Sequence, residues 1–106
     1  MKEAIRVVSP RVAFGIPCYK GAELLDRCLS SIRAQVGGQD VPVFVYDDGS
    51  PSEDAAALAA TAESFGASYF RGEQNLGCVA GYNAIFAAAL PADVVVLLDN
   101  DVVLSH

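Results

Sequence analysis

Asp99 and Asp101 are carboxylates one residue apart at the end of a short apolar run, Val94-Val95-Val96-Leu97-Leu98. Two hard oxygen donors at that spacing, with no cationic residue beside them, suit Mg²⁺ or Mn²⁺ bridging to a phosphate. Asp and Asn are also ordinary turn residues, so the same stretch serves equally to end a strand. A second polar cluster is Asp47-Asp48-Gly49-Ser50. A carboxylate only accepts hydrogen bonds and can take two at once, so Asp47 or Asp48 fits a nucleobase N–H or a ribose hydroxyl. The alternative is a turn and helix cap, for which Asp-Gly-Ser is well suited. In the third cluster, Pro17-Cys18-Tyr19, the Tyr19 ring can stack on a base or sit half-buried in a loop. Gly77 and Gly81 precede and enter an apolar helical stretch. Glycine weakens a helix, so Gly81 marks a close approach, either of a ligand or of helix to sheet. Asn83 on that apolar stretch can bond loop backbone or a ligand.

The elements that must position these groups alternate regularly. Arg11–Ile16 reads as a strand, stopped by Pro17. Leu24, Leu25, Cys28, Leu29, Ile32 and Val36 recur at helical spacing from Ala22, and Gly37-Gly38 ends the run. Val41–Tyr46 is a second strand. Ser50-Pro51-Ser52-Glu53 reads as a capping box, opening an Ala-rich helix that closes at Gly66. Ala67–Arg71 is a short strand, and Val79, Tyr82, Ile85, Phe86, Ala89 and Leu90 mark a third helix ended by Pro91. The Val94 run, unbroken and apolar, reads as a last strand buried on both faces. Strand–helix alternation of this kind predicts an α/β fold, a parallel sheet with helices on both faces and right-handed crossovers. All strands of such a sheet end at one edge. The three polar clusters follow strands directly, so they converge there, where open α/β sheets hold ligands.

Composition sets the bounds. The chain has 106 residues, 53% hydrophobic and 19% charged, which predicts a single globular domain spanning residues 1–106. A net charge of −6 leaves no electrostatic footprint for nucleic acid. Phosphate binding by so acidic a chain needs a metal, backbone amides or a few placed cations. Three cysteines, none in C-x-x-C spacing, and a single histidine argue against a zinc site and for a reducing, cytoplasmic setting. No apolar run approaches the ~20 residues of a membrane helix. Gly77-x-x-x-Gly81 is not followed by the Lys-Ser/Thr of a P-loop, and no G-x-G-x-x-G follows the first strand.

Four stretches taken in order, Val12–Tyr19 (VAFGIPCY), Val43–Ser50 (VFVYDDGS), Asn75–Asn83 (NLGCVAGYN) and Val95–Val102 (VVLLDNDV), resemble the nucleotide-sugar half of family-2 glycosyltransferases of the GT-A fold. The resemblance implies a three-layer α/β/α sandwich with a mostly parallel, Rossmann-like sheet, truncated after the D-x-D strand. It implies an inverting transfer from a nucleoside-diphosphate sugar, UDP- or dTDP-linked, to a glycan or lipid-linked acceptor. Pro17 and Tyr19 would line the base pocket, and Asp48, with Asp47, would bind base or ribose. Asp99-Asn100-Asp101 matches the D-x-D motif, with Asp101 on the Mn²⁺ or Mg²⁺ ion and Asp99 on ribose or ion. The candidate donor set is therefore Pro17, Tyr19, Asp47, Asp48, Gly77, Gly81, Asn83, Asp99 and Asn100, with Asp99 and Asp101 for metal. Many members carry a basic residue where this chain has Cys78-Val79-Ala80-Gly81-Tyr82. The family continues past the D-x-D motif into its acceptor site, so the catalytic base is expected beyond residue 106. His106 reads as a truncation point or the edge of a tag. A sheet ending at the Val94 strand has an open edge, the basis of an alternative reading as a non-catalytic nucleotide-binding or assembly module that self-associates or completes its sheet with a partner.

Overall fold

The computed structural model describes residues 10–36 and 40–105. Four parallel strands, β1 (Val12–Cys18), β2 (Val43–Asp47), β3 (Ser68–Arg71) and β4 (Val94–Leu97), alternate with helices α1 (Ala22–Val36), α2 (Ser52–Ser64) and α3 (Cys78–Ala89). The strand order is β3-β2-β1-β4. From β1 the chain steps outward to β2 and β3, then returns over both to lay β4 on the far side of β1. Right-handed crossovers put α1 and α2 on one face and α3 on the other, which gives the expected three layers. The reversal between β1 and β4 is the switch point at which such sheets open a crevice.

One core lies between the sheet and α1–α2. Ile16, Cys18, Val43 and Val45 meet Leu25, Cys28, Leu29, Ile32, Leu58 and Ala62 there. The α1 residues recur at i, i+3, i+4 and i+7, the apolar stripe of a surface helix. On the other face α3 sits close. A Cβ on Gly15 would collide with Cγ2 of Ile85, and one on Gly81 would lie 3.2 Å from Pro17 Cβ and from Tyr46 Cδ2.

Several expectations need correction. Pro17 does not stop β1, which runs on to Cys18 with Pro17 level with Tyr46. Gly15 O accepts from Leu98 N on the β4 side, whereas Phe14 and Cys18 bond the β2 side; strand alternation then turns Pro17 toward β4 as well. The β1–β4 ladder ends at Gly15↔Leu97. The missing Pro17 N–H therefore faces a stretch with no ladder left to break. The Ser50 capping box does not form: Pro51 is the N-cap of α2 and no side chain caps it. The Ser50 hydroxyl instead accepts from Lys20 N at 2.8 Å, a tertiary bond that sequence spacing does not show. At the other end of α2 the closure at Gly66 holds: its φ is +72°, and Gly66 N and Ala67 N donate to Glu63 O and Ala62 O, the paired bonds of a Schellman motif. β4 is an edge strand, not one buried on both faces, and Val94 is 44% exposed. The Gly37-Gly38 helix stop lies outside the described residues.

Candidate functional site

Register sets the site. Cys18 of β1 lies beside Asp47 of β2, and Asp47 beside Arg71 of β3, so three strand ends form one rim. Just beyond it a cleft of about 150 Å³ is lined by Pro17, Cys18, Tyr19, Asp48, Gly77, Cys78 and Asp99. A larger cavity of about 550 Å³, around Val12, Pro42 and Leu90, lies at the opposite, amino ends of the strands and holds none of the chemistry.

Asp47 and Asp48 divide their work. Asp47 is fully buried: Oδ1 accepts from Ser50 N (2.9 Å), Oδ2 from the Tyr69 hydroxyl (2.6 Å), and Arg71 Nε stands 3.8 Å away. Burial, the Asp47 hydrogen bond and the Asp47 charge push the Tyr69 phenol well up. Asp47 thus braces the β2–α2 turn and does not line the cleft. Asp48 does line it, and clasps the β3–α3 loop: Oδ1 accepts from Leu76 N (3.0 Å) and Oδ2 from Gly77 N (2.8 Å). Gly49 completes that junction. At φ +75° it presses against the Gln74–Asn75 backbone, where an added Cβ would lie 2.5–2.8 Å from backbone atoms. Only glycine meets both conditions.

β4 delivers Asp99-Asn100-Asp101 into a tight turn closed by Val102 N donating to Asp99 O at 3.1 Å. Among the described residues no hydrogen bond or ion pair claims the Asp99 or Asp101 carboxylates, and both residues are exposed. Asn100 Nδ2 reaches Lys20 O at 3.4 Å, tying the turn to the β1–α1 loop. Among the described residues no three acidic, His or Cys side chains gather as a resident metal site. A pair of free carboxylates fits a different case, a Mg²⁺-like ion that arrives with phosphate oxygens and keeps several waters. The donor set is therefore suited to a metal shared with a diphosphate.

Of the remaining candidates, Pro17, Tyr19 and Gly77 line the cleft, with Tyr19 44% exposed. Gly81 is buried against Pro17 and Tyr46, so what it admits is the sheet. Asn83 is exposed on α3 and is not part of the cleft lining. Sequence reasoning passed over four contributors. Arg71, whose NH2 group donates to Ser50 O, and Tyr69 belong to β3, where no local motif marks them as part of the rim. Lys20 stands at the rim with its ammonium 5.5 Å from the Tyr19 ring. Cys78 is an exposed thiol in the cleft, and its proximity is the main influence pushing the Tyr82 phenol up.

Comparison with known proteins bears on the fold and the family. The chain is 34% identical over 86 residues to the uncharacterized protein MT1568 of Mycobacterium tuberculosis (strain CDC 1551 / Oshkosh), covering 81% of this chain and 26% of that protein. It superposes with TM-score 0.81 and 24% identity on the mannosyltransferase PcManGT of Pyrobaculum calidifontis, covering 93% of this chain and 30% of that one. At that identity the likeness shows the fold, which is GT-A. The chain spans less than a third of either relative. Residues 14–106 match the family described as Glycosyl transferase family 2, and to that family the chain belongs.

Proposed function

We propose that this chain is the donor-binding part of an inverting, metal-dependent glycosyltransferase that moves a sugar from a nucleoside diphosphate to the hydroxyl of a glycan or lipid-linked acceptor. One observation carries the reading: the unclaimed Asp99 carboxylate lines the cleft bounded by Pro17, Tyr19, Asp48 and Gly77, and the exposed Asp101 stands two residues on in the same turn, outside the lining itself. Pro17 and Tyr19 form an apolar wall for the base. Asp48 holds the Gly77 loop and keeps lone pairs for a base N–H or ribose hydroxyl. Asp101, with Asp99, would hold Mn²⁺ or Mg²⁺, which when bound supplies Lewis-acid stabilisation of the departing diphosphate. Asn100 fixes the height of that turn over the β1–α1 loop. The PcManGT structure is a complex with GDP-Man and Mn²⁺, which supports the donor class and the ion. The base that deprotonates the acceptor is proposed to lie outside these residues, in the remainder of a longer protein. Three unpaired cysteines support a cytoplasmic setting.

Calorimetric titration of UDP, dTDP and GDP, each with and without Mn²⁺, tests the reading on the wild type and Asp101→Ala. The expected result is binding of one nucleotide, tightened by metal and losing that metal response in the variant. UDP or dTDP is the sequence-based expectation; preference for GDP would correct the base and keep the site. Binding that ignores both Mn²⁺ and Asp101→Ala would overturn the metal assignment. The exposed apolar edge of β4 favours a second reading, a module that completes its sheet by association. Light scattering that gives a clean monomer across micromolar concentrations would set that reading aside.

A further inference from the structure

We propose that Lys20 is the cation that receives the diphosphate at the rim of this cleft, a role that deepens the donor-binding reading and rests on it. Four observations place it. Lys20 is the one non-glycine residue with positive φ among the described residues, at +58°. Left-handed backbone is disfavoured for a long unbranched side chain and persists where the surroundings hold it. Those surroundings belong to the site: Lys20 N donates to Ser50 Oγ at 2.8 Å on the β2 side, and Lys20 O accepts from Asn100 Nδ2 at 3.4 Å inside the D-x-D turn. The ammonium stands 5.5 Å from the centre of the Tyr19 ring, in the cation–π range. Finally, among the described residues the cleft lining holds Asp48 and Asp99 but no Lys, Arg or His, and Lys20, next in the chain to the lining residue Tyr19, stands at its rim rather than in its wall.

The charge balance calls for such a group. A nucleoside-diphosphate sugar brings a negative charge on each phosphate, and Asp99 and Asp101 add two more. One divalent ion offsets half of that sum, in a chain whose net charge is −6. Lys20 is pinned between the residue that walls the base region and the turn that takes the metal. A nucleotide spanning those two points passes its diphosphate beside Lys20. The stretch from Cys78 to Tyr82 offers no cation to share the task. A flexible ammonium suits it, as a point charge needing no fixed fork geometry.

Two substitutions in the full chain separate this role from a structural one. Lys20→Gln removes the charge and keeps the stem. It is expected to weaken binding of the preferred nucleoside diphosphate with Mn²⁺ by about threefold to tenfold, as for one charge-assisted contact at an exposed site. The parent nucleoside, titrated without metal, should bind both proteins alike, and Lys20→Arg should restore most of the diphosphate affinity. Raising NaCl from 50 to 300 mM should erode the wild-type advantage over Lys20→Gln. Lys20→Asn gives effects of opposite sign. Asn tolerates left-handed backbone, so the melting temperature should rise by about 2–4 °C while diphosphate affinity falls. A Lys20→Gln protein that binds the diphosphate as tightly as wild type, or loses nucleoside affinity equally, overturns the proposal. So does a Lys20→Asn protein that is more stable and binds the diphosphate unchanged. If the wild type binds no nucleoside diphosphate, the donor-binding reading itself fails, and this assignment with it.

Discussion

Truncating Asp47 should unfold much of what holds the rim. The carboxylate is fully buried and accepts from Ser50 N at 2.9 Å and from the Tyr69 hydroxyl at 2.6 Å, with Arg71 3.8 Å away. A hydrogen bond to a charged group is worth about 1.5–3 kcal/mol, and removing the acceptor also strands a buried N–H and a phenol. Asp47→Ala should therefore cost about 3–5 kcal/mol, a large share of the ~5–15 kcal/mol that stabilises a typical domain. Tyr69→Phe removes one of the two bonds and should cost about 1–2 kcal/mol. In the double variant Tyr69 has little left to lose, so a coupling of about 1–2 kcal/mol is expected between the two changes. Urea unfolding followed by far-ultraviolet circular dichroism suits the measurement, since the chain has no tryptophan. Strictly additive losses, or a cost below about 1 kcal/mol for Asp47→Ala, would refute the bracing role.

Three more expectations follow from the same rim and its cysteines. Burial pushes the thiols of Cys18 and Cys28 up to about 12 and about 11, from an ordinary value of 9.0, with Asp47 adding to the first and Asp101 to the second. The folded state thus favours the protonated thiols, so their contribution is fully present below pH 9 and is lost as pH rises through 9 to 12. Urea midpoints should fall across that window; a flat profile would contradict it. At pH 8 a maleimide should modify the exposed Cys78 well before the other two thiols, and bound nucleotide with Mn²⁺ should slow that reaction. Asp48→Asn keeps one acceptor of two, so amide exchange at Leu76 or Gly77 should accelerate at least about tenfold in the ligand-free protein. Unchanged exchange at both amides would show that the clasp does not hold the loop.

The architecture was legible because periodicity is written locally. The i, i+3, i+4, i+7 recurrence from Leu25 to Ile32 and the strand–helix alternation lead to a parallel sheet without any long-range information. Convergence of Pro17, Asp48 and Asp99 followed from topology alone. What the sequence concealed was the partner of each polar group. Asp47 and Asp48 are adjacent and chemically identical, yet one is consumed by Tyr69 and Ser50 while the other faces the cleft; only the alternation of β2 and the position of β3 separate them. Ser50 satisfies every local condition for a cap and bonds Lys20 instead, because the neighbouring strand end competes for its hydroxyl. The Val94 run has the composition of a buried strand, but its place at the sheet edge depends on the β3-β2-β1-β4 order, which hydrophobicity does not encode.

The fit between α3 and β1 has a consequence for how this chain can change. Gly15 leaves the hollow that Ile85 fills, and Gly81 leaves the hollow that Pro17 and Tyr46 fill, so helix and sheet each carry a knob and a socket. A methyl at position 15 is tolerable only after position 85 has shrunk, and an isoleucine regained at 85 then forbids it. Substitutions here are therefore ordered in time: the same pair of changes is accessible by one path and blocked by the other. Drift along the α3 seam should leave positions 15 and 85 correlated in size, a historical imprint made by packing alone.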